Sequence, residues 1–117
     1  MPPRRVLIVE DDTMTRLLLA DVLAEAGHEV CGVAATQAEA VLAARRLRPD
    51  LIVIDAKLGQ GSGPAAMREI LRGGFVVHVY ISGEPLDGAR LHPAAVLLRK
   101  PFDAAALHGA IAQAVGG

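Results

Sequence analysis

Hydrophobic residues along this chain occur in short continuous runs, and longer amphipathic segments separate the runs. The strongest runs span residues 6–9, 51–54, 76–81 and 95–98. Their length and their Val, Ile and Leu content predict strands, and their continuity predicts burial on both faces, as in a parallel sheet. A weaker run at residues 28–34 predicts an edge strand.

Helical patterns fill the segments between the runs. A first helix is predicted to begin at Thr13, a favourable capping residue, and to end at Gly27. Its apolar residues recur at spacings of three and four and predict the buried face: Met14, Leu17, Leu18 and Val22. A second helix is predicted to begin at Thr36 and to end near Arg48, because Pro49 disfavours helix before it. The residues predicted to face inward are Ala38, Val41 and Leu42.

Two further helices are predicted from about residue 64 to residue 73 and over residues 103–115. Between them, residues 83–93 include Pro85, Gly88 and Pro93, so the fourth helix is predicted to be short or irregular. The alternation of strands and helices predicts an α/β fold with a doubly wound, five-stranded parallel sheet. Right-handed crossovers favour the flavodoxin-like strand order 2-1-3-4-5, in which ligands bind beyond the carboxyl ends of the first and third strands.

Polar and charged residues follow the predicted strands at that edge of the sheet. They are Glu10-Asp11-Asp12 after the first strand, Asp55 after the third, Ser82-Gly83 after the fourth and Lys100-Pro101 after the fifth. Clustered carboxylates raise one another's pKa unless a cation lies between them, and Mg²⁺ is the cation that suits such oxygen ligands. An Asp pair before a helix is by itself explained as a cap, but the whole set favours a phosphoryl-transfer site.

These residues can divide the work of phosphoryl transfer among them. Asp55 can attack phosphorus as a carboxylate nucleophile and form an acyl phosphate. Mg²⁺ would neutralise one oxygen of the transferred group, Lys100 a second and the Ser82 hydroxyl a third. Gly83 leaves room for the phosphoryl group to approach.

The same motifs resemble those of the receiver domains of two-component response regulators, the CheY-like superfamily. They are Val9-Glu10-Asp11-Asp12, Ile54-Asp55 with Leu58 and Gly63 downstream, Ile81-Ser82-Gly83 and Arg99-Lys100-Pro101-Phe102. The resemblance implies that Asp55 is the phosphoacceptor, that Lys100 senses the phosphoryl group and that Ser82 is the switch hydroxyl. The implied Mg²⁺ ligands are Asp11, Asp12, Asp55 and the backbone carbonyl of Lys57. The peptide bond between Lys100 and Pro101 is expected to be cis.

The resemblance also implies a mode of action. The phosphoryl donor would be a histidine kinase or a histidine phosphotransferase, and the domain would signal to an unknown downstream protein through protein contacts or a phosphorelay. It would not be a metabolic enzyme, since it would catalyse only its own phosphorylation and dephosphorylation. Residues 1–117 are expected to form a single stand-alone receiver domain without an output domain.

The chain departs from the receiver pattern at three places. Leu97 stands where the family often has an aromatic switch residue. The interval from Ser82 to Lys100 is shorter than usual by about one helical turn. Gly59 replaces a common proline, and the glycine-rich loop 59–63 is therefore expected to be mobile.

Lys57 and Glu84 are predicted to flank the approach to Asp55. An ion pair between them would add little stability, about 0–1 kcal/mol. It would nevertheless screen an acyl phosphate from attacking water, so both residues are candidate modulators of the lifetime of the phosphorylated state.

Composition and charge disfavour several partners and locations for the protein. The 117 residues are 52% hydrophobic and carry a net charge of −1, which disfavours sequence-independent binding to nucleic acid. The single cysteine, Cys31, excludes an intrachain disulfide. No apolar run approaches the roughly 20 residues of a membrane span, and the run near the N-terminus is too short for a signal peptide. We therefore expect a cytoplasmic protein that does not bind membranes.

Other functions stay open at this point. A degenerate receiver could act as a phosphorylation-independent protein-interaction module, which the missing aromatic residue and the short fourth helix favour. An FMN protein of this fold would need a Ser/Thr/Gly-rich loop after the first strand, where this chain has acids. A Mg²⁺-dependent phosphohydrolase usually needs a second acid two residues after its nucleophile, where Lys57 stands.

Overall fold

Five parallel strands form one sheet, and helices cover both of its faces. The structure is a computed structural model that describes residues 2–86 and 90–116. The strands are β1 (Arg5–Val9), β2 (Glu29–Ala34), β3 (Leu51–Asp55), β4 (Val77–Ser82) and β5 (Val96–Arg99). The helices are α1 (Thr13–Glu25), α2 (Gln37–Leu47), α3 (Gly63–Leu71) and α4 (Ala104–Gly116). The spatial order is β2-β1-β3-β4-β5, so the predicted flavodoxin-like α/β fold is confirmed.

The sheet separates two hydrophobic clusters. Strands β1 and β3 lie in the centre, and their apolar runs are buried on both faces, as their continuity predicts. On one face, Tyr80 of β4 packs with buried residues of α2 and α3. On the other face, Leu19 and Leu23 of α1 share a cluster with Leu107 and Ile111 of α4.

The register of the strands brings their polar ends to one edge of the sheet. Asp55 ends β3 and pairs with Ile81 of β4. Ser82 ends β4, and its carbonyl oxygen accepts a 2.9 Å hydrogen bond from the amide of Lys100, just beyond β5. Glu10 directly follows β1, which lies beside β3. Residues that are far apart in sequence therefore meet where the strands end.

The helix caps agree with the sequence for α2 and differ for α1. Asp12, rather than the predicted Thr13, caps α1, because its Oδ2 accepts a 2.8 Å hydrogen bond from the amide of Thr15. Helix α2 begins after Thr36, whose hydroxyl oxygen accepts a hydrogen bond from the amide of Glu39 at 3.1 Å. The predicted start of the second helix is thus confirmed.

The predicted buried face of α1 is wrong for three of its four residues, and only Val22 is partly buried against the core. Met14, Leu17 and Leu18 are 74%, 56% and 55% exposed, whereas Leu19 and Leu23 are buried against the sheet. Helix α1 carries apolar residues on more than one side, so a spacing of three and four does not identify the side that packs. Three large apolar side chains are left on the surface of the first two turns.

The face that α2 buries is also only partly as predicted. Val41 is buried, but Ala38 and Leu42 point to solvent, and Leu42 is 65% exposed. The other buried positions are alanines: Ala40, Ala43 and Ala44. Small side chains allow a helix to approach the sheet closely, and a pattern that gives most weight to leucine overlooks them.

Where the sequence predicts a short or irregular fourth helix, the described residues between β4 and β5 form an irregular chain. Residues 83–86 and 90–95 contain no helix, while Gly88, used to predict a weak helix, lies outside the described residues. Leu86, Leu91 and Ala95 are partly buried and pack against the cluster beneath α2 and α3. In residues 2–86 and 90–116, no helix is both long enough and apolar enough to cross a membrane.

His78 lies beneath this irregular segment and is fully buried in β4. One ring nitrogen, Nδ1, lies 2.7 Å from the carbonyl oxygen of Val76, and the other, Nε2, has no hydrogen-bond partner. Burial lowers the pKa of His78, with a smaller contribution from His92 in the same direction. The folded protein therefore holds this ring neutral at pH values where the unfolded chain protonates it.

A histidine whose pKa is lowered on folding stabilises the protein above its unfolded pKa and loses that contribution as the pH falls. We predict that His78→Phe removes this contribution, so that between pH 5 and 7 the slope of the unfolding free energy against pH is lower in the variant than in the wild type, by up to about 1.4 kcal/mol per pH unit. Urea unfolding at a series of pH values measures the slope. Met67→Leu, a buried substitution that removes no titratable group, is the control and should keep the wild-type slope; an unchanged slope in His78→Phe would contradict the prediction.

Candidate functional site

Three carboxylates meet where β1 and β3 end. Glu10, Asp11 and Asp55 each place one oxygen so that the three atoms lie within 4.8 Å of one another. Glu10 and Asp55 are only 1% and 5% exposed, whereas Asp11 is exposed. Like charges this close, two of them removed from water, repel unless a cation or a proton offsets them.

Lys100 supplies a positive charge to the cluster. Its Nζ lies 2.7 Å from Oδ2 of Asp55 and 3.6 Å from Oε1 of Glu10. Partial burial by itself would lower the pKa of Lys100, but the hydrogen bond and charge of Asp55, together with Glu10, raise it above its usual value. The peptide bond from Lys100 to Pro101 is cis, which confirms the expectation from the sequence.

Glu10 is the most constrained acid of the cluster. Its Oε2 accepts a 3.1 Å hydrogen bond from the amide of Asp12, while its Oε1 has no hydrogen-bond partner. Burial raises the pKa of Glu10 to about 7, and the nearby Asp55 acts in the same direction. A buried carboxylate oxygen without a hydrogen bond is costly for the protein unless another ligand satisfies it.

The set of donors fits a hard divalent cation. Carboxylate oxygens from Glu10, Asp11 and Asp55 are the ligand type that Mg²⁺ prefers, and a cation would offset the excess negative charge beside the single ammonium of Lys100. Oε1 of Glu10 has the Lys100 ammonium 3.6 Å away but no hydrogen bond, which is consistent with this use. The residues present therefore fit the metal that the sequence predicts.

Asp12 does not join the cluster, although it is one of the Mg²⁺ ligands expected from the sequence. Its Oδ2 accepts hydrogen bonds from the hydroxyl and the amide of Thr15, at 2.6 and 2.8 Å, and these bonds lower the pKa of Asp12. Glu10 takes the place beside Asp11 and Asp55. The sequence already indicated that Asp12 would cap α1, since an acid directly before a helix is a favourable N-cap.

Backbone amides hold the other two acids. The amide of Lys57 donates a 2.9 Å hydrogen bond to Oδ1 of Asp55, and the amide of Gly59 donates one of 2.9 Å to Oδ2 of Asp11. The loop that follows β3 therefore touches both acids. The side chain of Lys57 itself is exposed.

Ser82 lies across the site from the acids. Its buried hydroxyl donates a hydrogen bond to the carbonyl oxygen of Glu84 and accepts one from the amide of Glu84 at 3.1 Å. Ser82 and Gly83 line the same cavity of about 620 Å³ as Asp55 and Lys100. The Ser82 hydroxyl, predicted to bind a phosphoryl oxygen, thus lies beside the site and is hydrogen-bonded to the backbone of the loop that follows β4.

Lys57 and Glu84 both line this cavity, but they do not form the expected ion pair. The ion pairs within residues 2–86 and 90–116 are Arg5–Glu29, Lys100–Glu10 and Lys100–Asp55. Leu97, predicted to stand at the switch position, pairs with Tyr80 across β4 and β5 and is 49% exposed.

Comparisons with known proteins agree with this arrangement. Residues 6–112 match the family model of the response regulator receiver domain. Over 97% of its length, the chain is 37% identical to the transcriptional regulatory protein PdtaR of Mycobacterium tuberculosis, of which it covers 57%. It is 30% identical to the response regulator PhyR of Brucella abortus, whose crystal structure it matches with a TM-score of 0.89 over 98% of this chain and 49% of that one.

A third comparison concerns a receiver domain with a bound metal. The receiver domain of the sensor histidine kinase PA1611 from Pseudomonas aeruginosa PAO1 has a magnesium ion coordinated in its active-site cleft. The present chain is 26% identical to it and matches it with a TM-score of 0.84, over 99% of this chain and all of that one. By its fold, its matched residues and its relatives, the chain belongs to the response regulator receiver domain family.

Proposed function

We propose that this receiver domain accepts a phosphoryl group on Asp55 from a partner histidine kinase or histidine phosphotransferase, with Mg²⁺ as cofactor. The observation that carries the proposal is the setting of Asp55. Its carboxylate lies on the wall of an open cavity, 2.7 Å from the ammonium of Lys100 and beside two further acids. A carboxylate nucleophile, an ammonium group and a set of possible metal ligands thus line one cavity.

The groups around Asp55 suit attack on a phosphohistidine. A carboxylate oxygen of Asp55 forms the new O–P bond while the P–N bond to the donor breaks and the imidazole keeps the electron pair. The hydrogen bond from the Lys57 amide orients the carboxylate, and Lys100 can shift from Oδ2 of Asp55 to the oxygens of the transferred group. When bound by Glu10, Asp11 and Asp55, Mg²⁺ supplies charge neutralisation on the phosphoryl oxygens.

Ser82 offers a link from the modified acid to the rest of the domain. To donate to a phosphoryl oxygen, its hydroxyl must leave the carbonyl oxygen of Glu84. That exchange removes a hydrogen bond between β4 and the segment that follows it, and this segment leads into β5, which carries the exposed Leu97. We propose that the phosphorylated domain signals to its downstream partner through this change, without an aromatic switch residue.

The donor protein is proposed to bind next to α1. Met14, Leu17 and Leu18 are each more than half exposed on the first turns of this helix. The same helix begins directly after Asp11 and Asp12, which line the cavity. Large exposed apolar side chains beside a reactive site are typical of a protein-binding surface.

The first prediction of this proposal concerns the phosphoacceptor. Incubation with acetyl phosphate and Mg²⁺ should add about 80 Da to the intact mass, the size of one phosphoryl group, and the gain should be absent without Mg²⁺ or in Asp55→Ala. Asp21→Ala, which removes an exposed acid of α1, is the matched control and should be modified like the wild type. A wild-type protein that gains no mass would favour the alternative of a phosphorylation-independent interaction module.

A second prediction concerns Lys57 and Glu84, which line the cavity that leads to Asp55. If the two side chains pair across an acyl phosphate and exclude water, Lys57→Ala and Glu84→Ala should each speed dephosphorylation, by up to about fivefold for an exposed pair. The double variant should be no faster than the single ones, and Lys57→Arg should keep the wild-type rate. The loss of mass over time measures these rates, and equal rates in all variants would refute the pairing.

A further inference from the structure

The loop between β3 and α3, residues 56–62, contacts two acids of the site, Asp55 and Asp11. Besides the amides of Lys57 and Gly59 on Asp55 and Asp11, an antiparallel bridge joins Lys57 to Ser62 and closes the loop on itself. A glycine at 59 allows this approach, because a Cβ there would lie 3.0 Å from Oδ2 of Asp11. The position of the loop therefore sets the position of a hydrogen bond to Asp11.

Gln37, the first residue of α2, holds the far side of this loop. Its Oε1 accepts a 3.1 Å hydrogen bond from the amide of Ser62. Its own amide donates a 3.1 Å hydrogen bond to the carbonyl oxygen of Gln60. Side chain and backbone of one residue thus fix two neighbouring points of the loop to α2.

Gly61 is shaped to receive Gln37. It adopts a φ of +87°, a conformation that favours glycine, and a Cβ at this position would overlap the side chain of Gln37. The loop therefore needs glycine at residue 61 for its backbone and for the space that Gln37 fills. The sequence alone suggests a mobile loop here, whereas the contacts join it to Asp11 on one side and to α2 on the other.

We infer that Gln37 is a positioning residue for the acidic site. Its two hydrogen bonds to the β3–α3 loop form a latch, which keeps the loop where the Gly59 amide holds Asp11 in the orientation that binds Mg²⁺. Asp11 is the exposed acid of the cluster, and the Gly59 amide is its hydrogen-bond partner among the described residues. Without the latch, three glycines within residues 59–63 give the loop wide conformational freedom. The inference rests on the proposed function, because that function gives the Mg²⁺ site its role. Gln37 itself lies outside the cavity that holds Asp55.

Two substitutions of Gln37 separate its hydrogen bond from its bulk. Gln37→Met keeps a side chain of similar length and removes the acceptor, whereas Gln37→Glu keeps an acceptor for the Ser62 amide. Amide hydrogen exchange at Gly59 and Ser62, measured by NMR without metal, reports the latch directly. Titration with Mg²⁺ alone then reports its effect on the site.

In Gln37→Met, we expect exchange at Gly59 and Ser62 to quicken about tenfold, the effect of losing one hydrogen bond, and exchange at Ile52 and Val53 in β3 to stay unchanged. The affinity for Mg²⁺ should fall about threefold or more as Asp11 loses its fixed orientation. Gln37→Glu should restore both properties. A merely structural role for Gln37 would instead change exchange in β3 as well, and Gln37→Glu would not restore Mg²⁺ affinity.

The inference is overturned if exchange at Gly59 is unaffected in Gln37→Met, or if exchange quickens while the affinity for Mg²⁺ is unchanged. It is also overturned if the wild-type protein does not bind Mg²⁺. A wild-type protein that binds Mg²⁺ but gains no mass from acetyl phosphate contradicts the proposed function alone, because neither exchange nor metal titration involves a phosphoryl donor.

Discussion

Charge repulsion at the ends of the central strands is the constraint on which this structure depends. Glu10, Asp11 and Asp55 come within 4.8 Å of one another, and two of them are buried. Lys100 is the ammonium that pairs with them, and a single cation leaves the cluster with an excess of negative charge. A site of this kind is poised to take up a further cation, and the proposed phosphoryl group would need such a cation to offset its own negative charge.

The parallel sheet fixes where each member of this cluster lies along the direction of the strands. Parallel pairing places Asp55 at the end of β3, and the hydrogen bond that the Lys100 amide donates to the carbonyl oxygen of Ser82 holds Lys100 at the same edge. Around these strand ends, α1 leaves large apolar residues on the surface, and the segment before β5 is not helical in its described residues. The proposed phosphoryl-dependent signal would pass from the acids at the strand ends to these exposed parts of the domain.

The sequence allowed most of the fold to be predicted, because buried parallel strands leave continuous apolar runs and because the polar residues after them must share one edge. The motif favoured Asp12 over Glu10 as the partner of Asp11, although the position directly before a helix already marked Asp12 as an N-cap. The buried faces of α1 and α2 were predicted only in part, because alanines and a broad apolar surface blur the helical period. Gln37 leaves no local pattern, as its contact with Ser62 joins residues 25 positions apart.

Glu10, rather than Asp12, is the acid expected to share Mg²⁺ with Asp11 and Asp55. Calorimetric titration of Mg²⁺ into the wild type, Glu10→Gln and Asp12→Asn tests this directly, because asparagine is also a favourable helix cap and preserves α1. The structure predicts that Glu10→Gln weakens Mg²⁺ binding by about tenfold or more, while Asp12→Asn keeps the wild-type affinity. The reverse result, with binding lost in Asp12→Asn and kept in Glu10→Gln, would contradict the site described for this protein.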